Sequence, residues 1–503
     1  MERSRQSATT AIICIATLIL CTPAPAKIIY VDDDANGLNN GASWQDAYRH
    51  LQDALADAND SAKPVEIHVA QGIYEPDRGL HQTGGDRNAT FSLIEGVILR
   101  GGYAGIGTPD PNARDIDTYE TILSGDLKGD DVLRLRDPVF YLWLRTSARM
   151  ENSYHVVTSE GANGTGTLDG FTISGGNDNR AESARELFGI GYGGGVFCRD
   201  SHSALIRCIF EANSAGSGGA MYNESAEPAV TQCAFIGNSA EEGGAVYNKQ
   251  GKPAMTACTF SGNCVIYSGG AVYNSGGSPI FSGCVLNDNS TQRSHGGAVA
   301  NCDQSDTRIV NCLFSQNHST FGEAVANIES ALALENCTFV GNWVHPVFAC
   351  ATWDGQACSA VVTNCIFWDG GREILNNNPG PTIRITYSDI EGGRASVYDS
   401  FGGITWAEGN IDADPCFAAP GAWSDPDTAP RWPRRDIWLD GDYHLKSRAG
   451  RWDPGAQAWI LDNVTSPCID AGDPNSPVGG EPQPNGGRIN MGIYGGTPEA
   501  SKS

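Results

Sequence analysis

The chain has 503 residues, with 59 acidic against 33 basic side chains and a formal net charge of −26. That balance disfavours nucleic acid and anionic membrane surfaces as partners, because phosphates demand Lys and Arg. The length is ample for a large core, and the acidity suits a solvated extracellular face and cations.

In chain order, the first element is a targeting segment. Arg3 and Arg5 precede an apolar run from Ala11 to Leu20, and Ala24-Pro25-Ala26 offers the small residues a signal peptidase needs. Residues 1–26 are read as a signal peptide, with Lys27 opening the mature chain. Leu20 is too large for Cys21 to serve as a lipoprotein site, and no other run approaches a membrane span. Ser43, with Asp46 three residues on, predicts a helix start. Ala47, Tyr48, Leu51, Ala54, Leu55 and Ala58 then share one helical face, as expected of a helix covering the open end of a stack of strands. Strands are predicted at 65–70, 97–100, 121–123, 154–157 and 167–173, with an insertion near Asp126–Glu151. Residues 27–190 thus form an N-terminal cap and irregular first coils.

From Cys208 a phrase recurs: CIFEANS, CAFIGNS, CTFSGNC, CVLNDNS, CLFSQNH, CTFVGNW and CIFWDGG. Its cysteines, at 208, 233, 258, 284, 312, 337 and 365, step by 25, 25, 26, 28, 25 and 28 residues. Between them stand GGAMYN, GGAVYN, GGAVYN, GGAVAN and GEAVAN, beginning at Gly218, Gly243, Gly269, Gly296 and Gly322. A fixed period in this range means a solenoid. Gly pairs, Asn punctuation and apolar runs with period two exclude helical repeats and predict three short strands and three turns per coil. The expected fold is all-β: a single-stranded, right-handed parallel β-helix with an N-terminal capping helix and regular coils over residues 191–390. Coils spaced about 4.8 Å apart would align equivalent residues. Asn213, Asn238, Asn263, Asn289, Asn317 and Asn342 should form one ladder, and Asn223, Asn248, Asn274, Asn301 and Asn327 another. Phe210, Phe235, Phe260, Leu286, Phe314 and Phe339 should form an apolar spine beside a column of buried free thiols. No CxxC pair or histidine set marks a metal site among the cysteines.

Residues 391–503 lack the repeat and are rich in Pro, Trp, Asp and Gly, which predicts a compact C-terminal cap or attached module. Cys416 and Cys468 lie outside the column and each follows a proline, so a disulfide between them is expected; Cys350 and Cys358 are a second candidate pair.

The alternating F-x-x-N and GGA[VM] phrases, over roughly 191–342, resemble the repeats of chlamydial polymorphic outer membrane proteins. The opening YVDDDANG and SWQDAYRHLQDAL, followed by IHVAQGIYEP, VILRGGYAG and ILSGD, looks like the first coils of secreted bacterial right-handed β-helix proteins, the pectate-lyase-like solenoids. The tail phrases IDADPCF, DYHL, SPCIDAGD and GIYGG are similar to the choice-of-anchor Q module. These resemblances imply a secreted or outer-surface bacterial protein acting in adhesion, envelope or matrix interaction.

Motifs for chemistry are incomplete. Polygalacturonase-like hydrolases carry N-x-D, D-D, G-H-G and R-x-K on successive coils. Here Asp130-Asp131 falls in the insertion, His295-Gly296-Gly297 gives half of G-H-G on another coil, and R-x-K is absent. Arg431-Trp432-Pro433-Arg434-Arg435 departs in spacing from the R-x-P-x-x-R of calcium-dependent pectate lyases. Asp32, Asp34, Asn36 and Gly37 match the first half of a calcium loop, but the closing Glu position holds Ser43, so a polar turn and no cofactor are expected, with Ca²⁺ as the weaker alternative. His202, His295 and His318 are read as surface or turn residues, and Glu241-Glu242 as a solvated turn. One column suggests a surface. In G-G-A-x-Y-N, inward Val and Asn would leave Phe197, Tyr222, Tyr247 and Tyr273 outward as an aromatic ladder for a polysaccharide or a matrix component. The expected function is therefore a monomeric, glycan-binding surface solenoid, with a secreted polysaccharide lyase or glycoside hydrolase as the alternative.

Overall fold

A computed structural model describes residues 26–131, 147–161, 165–180, 191–342, 346–423, 438–439 and 441–503. Residues 1–25 of the expected signal peptide and the Arg431–Arg435 phrase lie outside the described residues. The chain winds as an all-β parallel β-helix. A first sheet of 13 strands runs from Lys27–Val31 to Ile404–Trp406, a second of 11 from Phe91–Ser92 to Val397–Asp399, and a third of 11 from Gly72–Tyr74 to Asp389–Ile390. One coil reads Met221–Glu224 in the second sheet, Ala229–Thr231 in the first and Ala234–Ile236 in the third. It then adds Ser239–Ala240, part of a small five-stranded sheet that the repeat phrases did not signal. The next coil opens at Val246, paired in parallel with Met221.

That register aligns every column. Phe235 stacks on Phe210 and on Phe260, each with centroids 4.7 Å apart, and Phe339 stacks on Phe314 at 4.6 Å and Phe367 at 4.3 Å. All are fully buried, each burial worth about 1.5–3 kcal/mol. Beside them runs the first asparagine ladder. The Asn263 Oδ1 accepts from the backbone N–H of Asn238 at 3.0 Å and from its Nδ2 at 3.1 Å. Its own Nδ2 donates to the Phe235 carbonyl at 2.9 Å and to Asn289 Oδ1 at 2.9 Å. The pattern repeats from Asn213 to Asn342 and ends on Asp369, whose Oδ1 accepts from the Asn342 amide. The second ladder links Asn223, Asn248, Asn274 and Asn301 at 2.7–2.8 Å. Asn327 instead donates to the Ser330 carbonyl and toward the Cys358 sulfur, because Cys350 stands at the next position of its column.

The GG pair marks a close approach. Gly243 has φ +61° and a Cβ there would strike the Val246 carbonyl oxygen at 2.4 Å; one on Gly244 would meet the Gly270 carbonyl of the next coil at 2.2 Å. The column cysteines are buried free thiols, as expected. Their surroundings are less apolar than a core stack, however: Cys233 Sγ lies 3.4 Å from the Leu205 and Thr231 carbonyls and accepts from the Cys208 amide at 3.4 Å.

Three expectations are corrected. The helix runs Leu51–Asp60 and starts after His50, because Ser43 and Asp46 bond to each other in a turn (Ser43 Oγ to the Asp46 amide, 3.2 Å). Its buried face holds Leu51, Ala54, Leu55 and Ala58, packed on Lys27–Val31, Val65–Ala70 and Phe91–Ser92. The strand expected at 154–157 lies at Val157–Glu160, and the one expected at 167–173 is two strands, Thr167–Asp169 and Thr172–Ser174. The Cys416–Cys468 and Cys350–Cys358 bridges are not formed: all four are free, and the buried Cys468 thiol donates to Asp389 Oδ2 at 3.0 Å. The tail segment reaches back along the outer face of the third sheet, where Phe417, Tyr443, Leu445 and Met491 pack on Leu313, Val340 and Ile366.

Asn263→Ala removes an acceptor from two donors of Asn238 and a donor from the Phe235 carbonyl. It is expected to cost about 2–4 kcal/mol in chemical unfolding, against no more than about 0.5 kcal/mol for exposed Lys252→Ala. Thiol titration is expected to leave the seven column cysteines unreactive in the folded chain and all reactive in denaturant.

Candidate functional site

On the second sheet the inward residues are Val246 and Asn248, so the aromatic column has the outward parity. Phe197, Tyr222, Tyr247 and Tyr273 are paired in register and stacked, with centroids 5.8, 5.3 and 4.9 Å apart. Their exposure differs along the row. Phe197 and Tyr222 are only 6% and 3% exposed, covered by Arg199 over the Phe197 ring, His155 beside it and Tyr192 against Tyr222. Tyr247 and Tyr273 are half-buried, and Tyr192 and Tyr267 beside the row are 37% and 41% exposed. Beyond Tyr273 the column continues as buried Ala300, Ala326 and Ala349.

A second row, formed by the residue before each GG pair, runs alongside: Tyr192, Ser217, Glu242, Ser268, His295 and Phe321. Glu242 is expected in a solvated turn and His295 at the surface or in a turn; their shared phase before GG is the signal that places them together. Here His295 is buried. Its Nε2 lies 3.1 Å from Ser268 Oγ and 3.9 Å from Cys302 Sγ, its Nδ1 lies 2.6 Å from Ser294 Oγ, and its ring meets Trp353 edge-on. A hydroxyl on an imidazole is half of a nucleophile–base pair, but the pair needs a carboxylate behind it. Ser294 fills that place, burial pulls His295 down to about 4, and burial pushes the Cys302 thiol up to about 12. Neither the thiol nor the imidazole is charged near neutrality, so the row offers polar contacts rather than a nucleophile. Burial, then Glu241 and Asp303, push Glu242 up to about 7.

A different face gathers opposite charges around one carboxylate. Asp169, on the first sheet, takes Arg207 bidentately at 2.6–3.0 Å and Arg114 at 3.1 Å, with Arg100 at 3.6 Å; Glu66 in turn pairs with Arg100. Beside it opens a cleft of about 310 Å³ with Arg207, Gln232, Thr172 and Asp117 among apolar Ile116, Phe171 and Ile209. Both Asp169 oxygens are occupied by guanidinium donors, so this carboxylate is held as an ion pair. Asp32, from the expected polar turn, accepts from the Asp34 and Ile106 amides at 3.1 and 2.7 Å, while Asp46 Oδ1 accepts from the Leu38 amide, so these oxygens serve the backbone of the turn.

With the geometry known, comparisons place the chain. The Chlamydia polymorphic membrane protein repeat matches residues 232–249 and 257–275, and a model described as disaggregatase related matches 424–472. No curated protein sequence matches. Among solved structures, pectate lyase Pel9A is similar at 12% identity and TM-score 0.47, over 93% of this chain and 96% of that one. A rhamnogalacturonan lyase follows at 11% and 0.37, over 78% and 91%. The catalytic unit of a thermostable GH87 alpha-1,3-glucanase from Streptomyces thermodiastaticus strain HF3-3 gives 13% and 0.31, over 81% and 72%. Identities this low speak to shape alone, and the β-helix assignment stands on the strand pairing of this chain. The class so defined is a parallel β-helix carrying polymorphic-membrane-type repeats.

The raised Glu242 carboxyl gives a pH test. Its acid form is favoured in the folded state, so its contribution to stability is full below its ordinary 4.5 and is lost as pH rises through about 7. Glu242→Gln is expected to raise the melting temperature relative to the parent at pH 8 and to leave the difference near zero at pH 4.

Proposed function

We propose that the chain is a secreted or cell-surface β-solenoid of the adhesion, envelope or matrix-interaction type, and that the outer face of its second sheet binds a neutral glycan. The observation that carries this reading is the in-register aromatic row, half-open at Tyr247 and Tyr273, with exposed Tyr192 against Tyr222 and exposed Tyr267 in the turn before Tyr273. Flat rings repeated at the coil spacing suit sugar faces repeated along an extended chain, and several weak contacts on one strand add through multivalency. The polymorphic-membrane-type matches at 232–249 and 257–275 include Tyr247 and Tyr273 and support a surface role. A net charge of −26 opposes polyuronates.

A second reading, a polysaccharide lyase or hydrolase, is favoured by one observation: arginines and carboxylates from adjacent coils gather at the cleft beside Arg207. The saturation of Asp169 by guanidinium groups weighs against it, since a general base needs a free lone pair.

The test is a polysaccharide panel scored both for binding and for new reducing or unsaturated ends. Binding without new ends is expected. Tyr247→Ala with Tyr273→Ala is expected to weaken it by about ten- to a hundredfold, from two lost stacking contacts. Tyr267→Ala, at an exposed site, is expected to weaken it less while leaving the melting temperature unchanged. Tyr222→Ala is no probe of binding, because its buried ring would cost stability first. Product formation that Arg207→Ala abolishes would replace this reading with the enzymatic one.

A further inference from the structure

The residue before each column cysteine turns the chain with positive φ, from Arg207 at 51° and Gln232 at 54° to Asn311 at 51°, Asn336 at 52° and Asn364 at 57°. These residues stand one above another at the corner between the first and third sheets. Each backbone amide bonds to the coil that follows, as Gln232 does to Thr256 and Asn311 to Glu335. The three asparagines hold the tail. Asn311 Nδ2 donates to the Ile493 and Gly495 carbonyls at 2.6 and 2.8 Å, and Asn336 Nδ2 to the Asn490 carbonyl at 3.1 Å. Asn364 Oδ1 accepts from the Asp473 amide at 2.7 Å. Beside them the outward third-sheet residues Leu313 and Ile366 are buried with Tyr443, Leu445 and Met491 of the tail. On these coils, then, the protein already binds a stretch of polypeptide. Corner amides take its backbone, and the outward column takes its apolar side chains. On the earlier coils the same bed is uncovered. Ile209 stands in the column of Leu313, through Ala234, Thr259 and Val285, and is 37% exposed. Gln232 holds the corner position of Asn311; its side chain is exposed and enters no hydrogen bond among the described residues. The cleft of about 310 Å³ opens at this point, between the corner and the loop carrying Ile116 and Asp117.

We infer that this cleft docks an extended peptide segment of a partner protein, one that carries a basic residue next to apolar ones. The mode is the one the tail uses two to four coils further on: a backbone carbonyl on the Gln232 amide and an apolar side chain on Ile209 and Ile116. The charge of the cleft selects the basic residue. Arg207 is taken by Asp169, whereas Asp117, Glu120 and Glu211 enter no ion pair among the described residues. Glu120 accepts from the Thr172 hydroxyl at 3.0 Å, and Glu211 lies close enough for Glu120, after burial, to push its carboxyl up. A cation set among these carboxylates gains from all of them. A glycan would look for exposed flat rings, and Phe171, the aromatic residue lining the cleft, is 2% exposed. The tail itself contains a segment of the required kind, Arg488-Ile489-Asn490-Met491. This site lies on the corner of the first and third sheets and does not depend on the glycan reading of the second.

The experiment titrates the whole mature chain into a fluorescein-labelled peptide of the tail's own sequence, RINMGIYG from residues 488–495, and reads anisotropy. A scrambled peptide and a peptide with Arg488→Glu serve as controls, and neutral oligosaccharides are titrated in parallel. The parent peptide is expected to bind saturably, and both controls about tenfold or more weakly. Gln232→Ala in the protein, at an exposed position, is expected to weaken binding by about three- to tenfold, the worth of one hydrogen bond. Asp117→Asn with Glu211→Gln is expected to weaken it and to flatten its dependence on salt. Ala234→Trp, which fills the cleft, is expected to abolish it; if that variant does not fold, Gln232→Ala decides. A peptide that displaced the resident tail instead would bind the Gln232→Ala and Ala234→Trp proteins as well as the parent, and that result would overturn the inference. Absence of peptide binding, or oligosaccharides that bind at the cleft where the peptide does not, would overturn it equally.

Discussion

The structure depends on one constraint: each coil must lie in register on the last at a single strand spacing. Parallel pairing joins Met221 to Val246 to Val272 to Val299, and the same step governs every other column. A residue is therefore judged by its copies above and below. Phe stacks on Phe, and an asparagine of the first ladder bonds upward and downward at once, so that row is satisfied from Asn213 to Asn342. The glycine pairs follow from the same rule, since backbones of successive coils approach too closely there for a Cβ.

Because register is shared, the repeat phase was enough to read the path of the three large sheets, the first ladder, the second ladder as far as Asn301, and the Phe spine. What the phase could not carry is local or non-repetitive. Ser43 and Asp46 have the composition of a helix cap, yet they satisfy each other in a turn and the helix begins at Leu51. The two-residue strands at Ser214–Ala215 and Ser239–Ala240 are too short for any periodicity to mark. The tail lies along the third sheet through contacts such as Asn311 to the Ile493 carbonyl, which pair residues 182 apart in sequence and leave no pattern. The aromatic row was legible as a row. Its cover was not, because the groups over Phe197 and Tyr222 come from neighbouring columns, namely Arg199, His155 and Tyr192.

The same regularity bears on function. A surface built from copies presents equal contacts at equal intervals, which suits a long repetitive ligand. Catalysis needs unlike groups set against each other, and two places where such groups meet are quiet. His295 is kept uncharged by burial with a serine behind it, and Asp169 is saturated by arginines.

Hydrogen-exchange mass spectrometry on the folded mature chain tests the stacking directly. The amides of Met221–Glu224, Val246–Lys249 and Val272–Ser275, with their equivalents in the other two large sheets, should exchange slowly and together, as one cooperative unit. Turn segments such as the one around Gly276 and Gly277 should exchange far faster. Adjacent coils that exchanged at unrelated rates, or strand amides as fast as those turns, would contradict a register-locked solenoid.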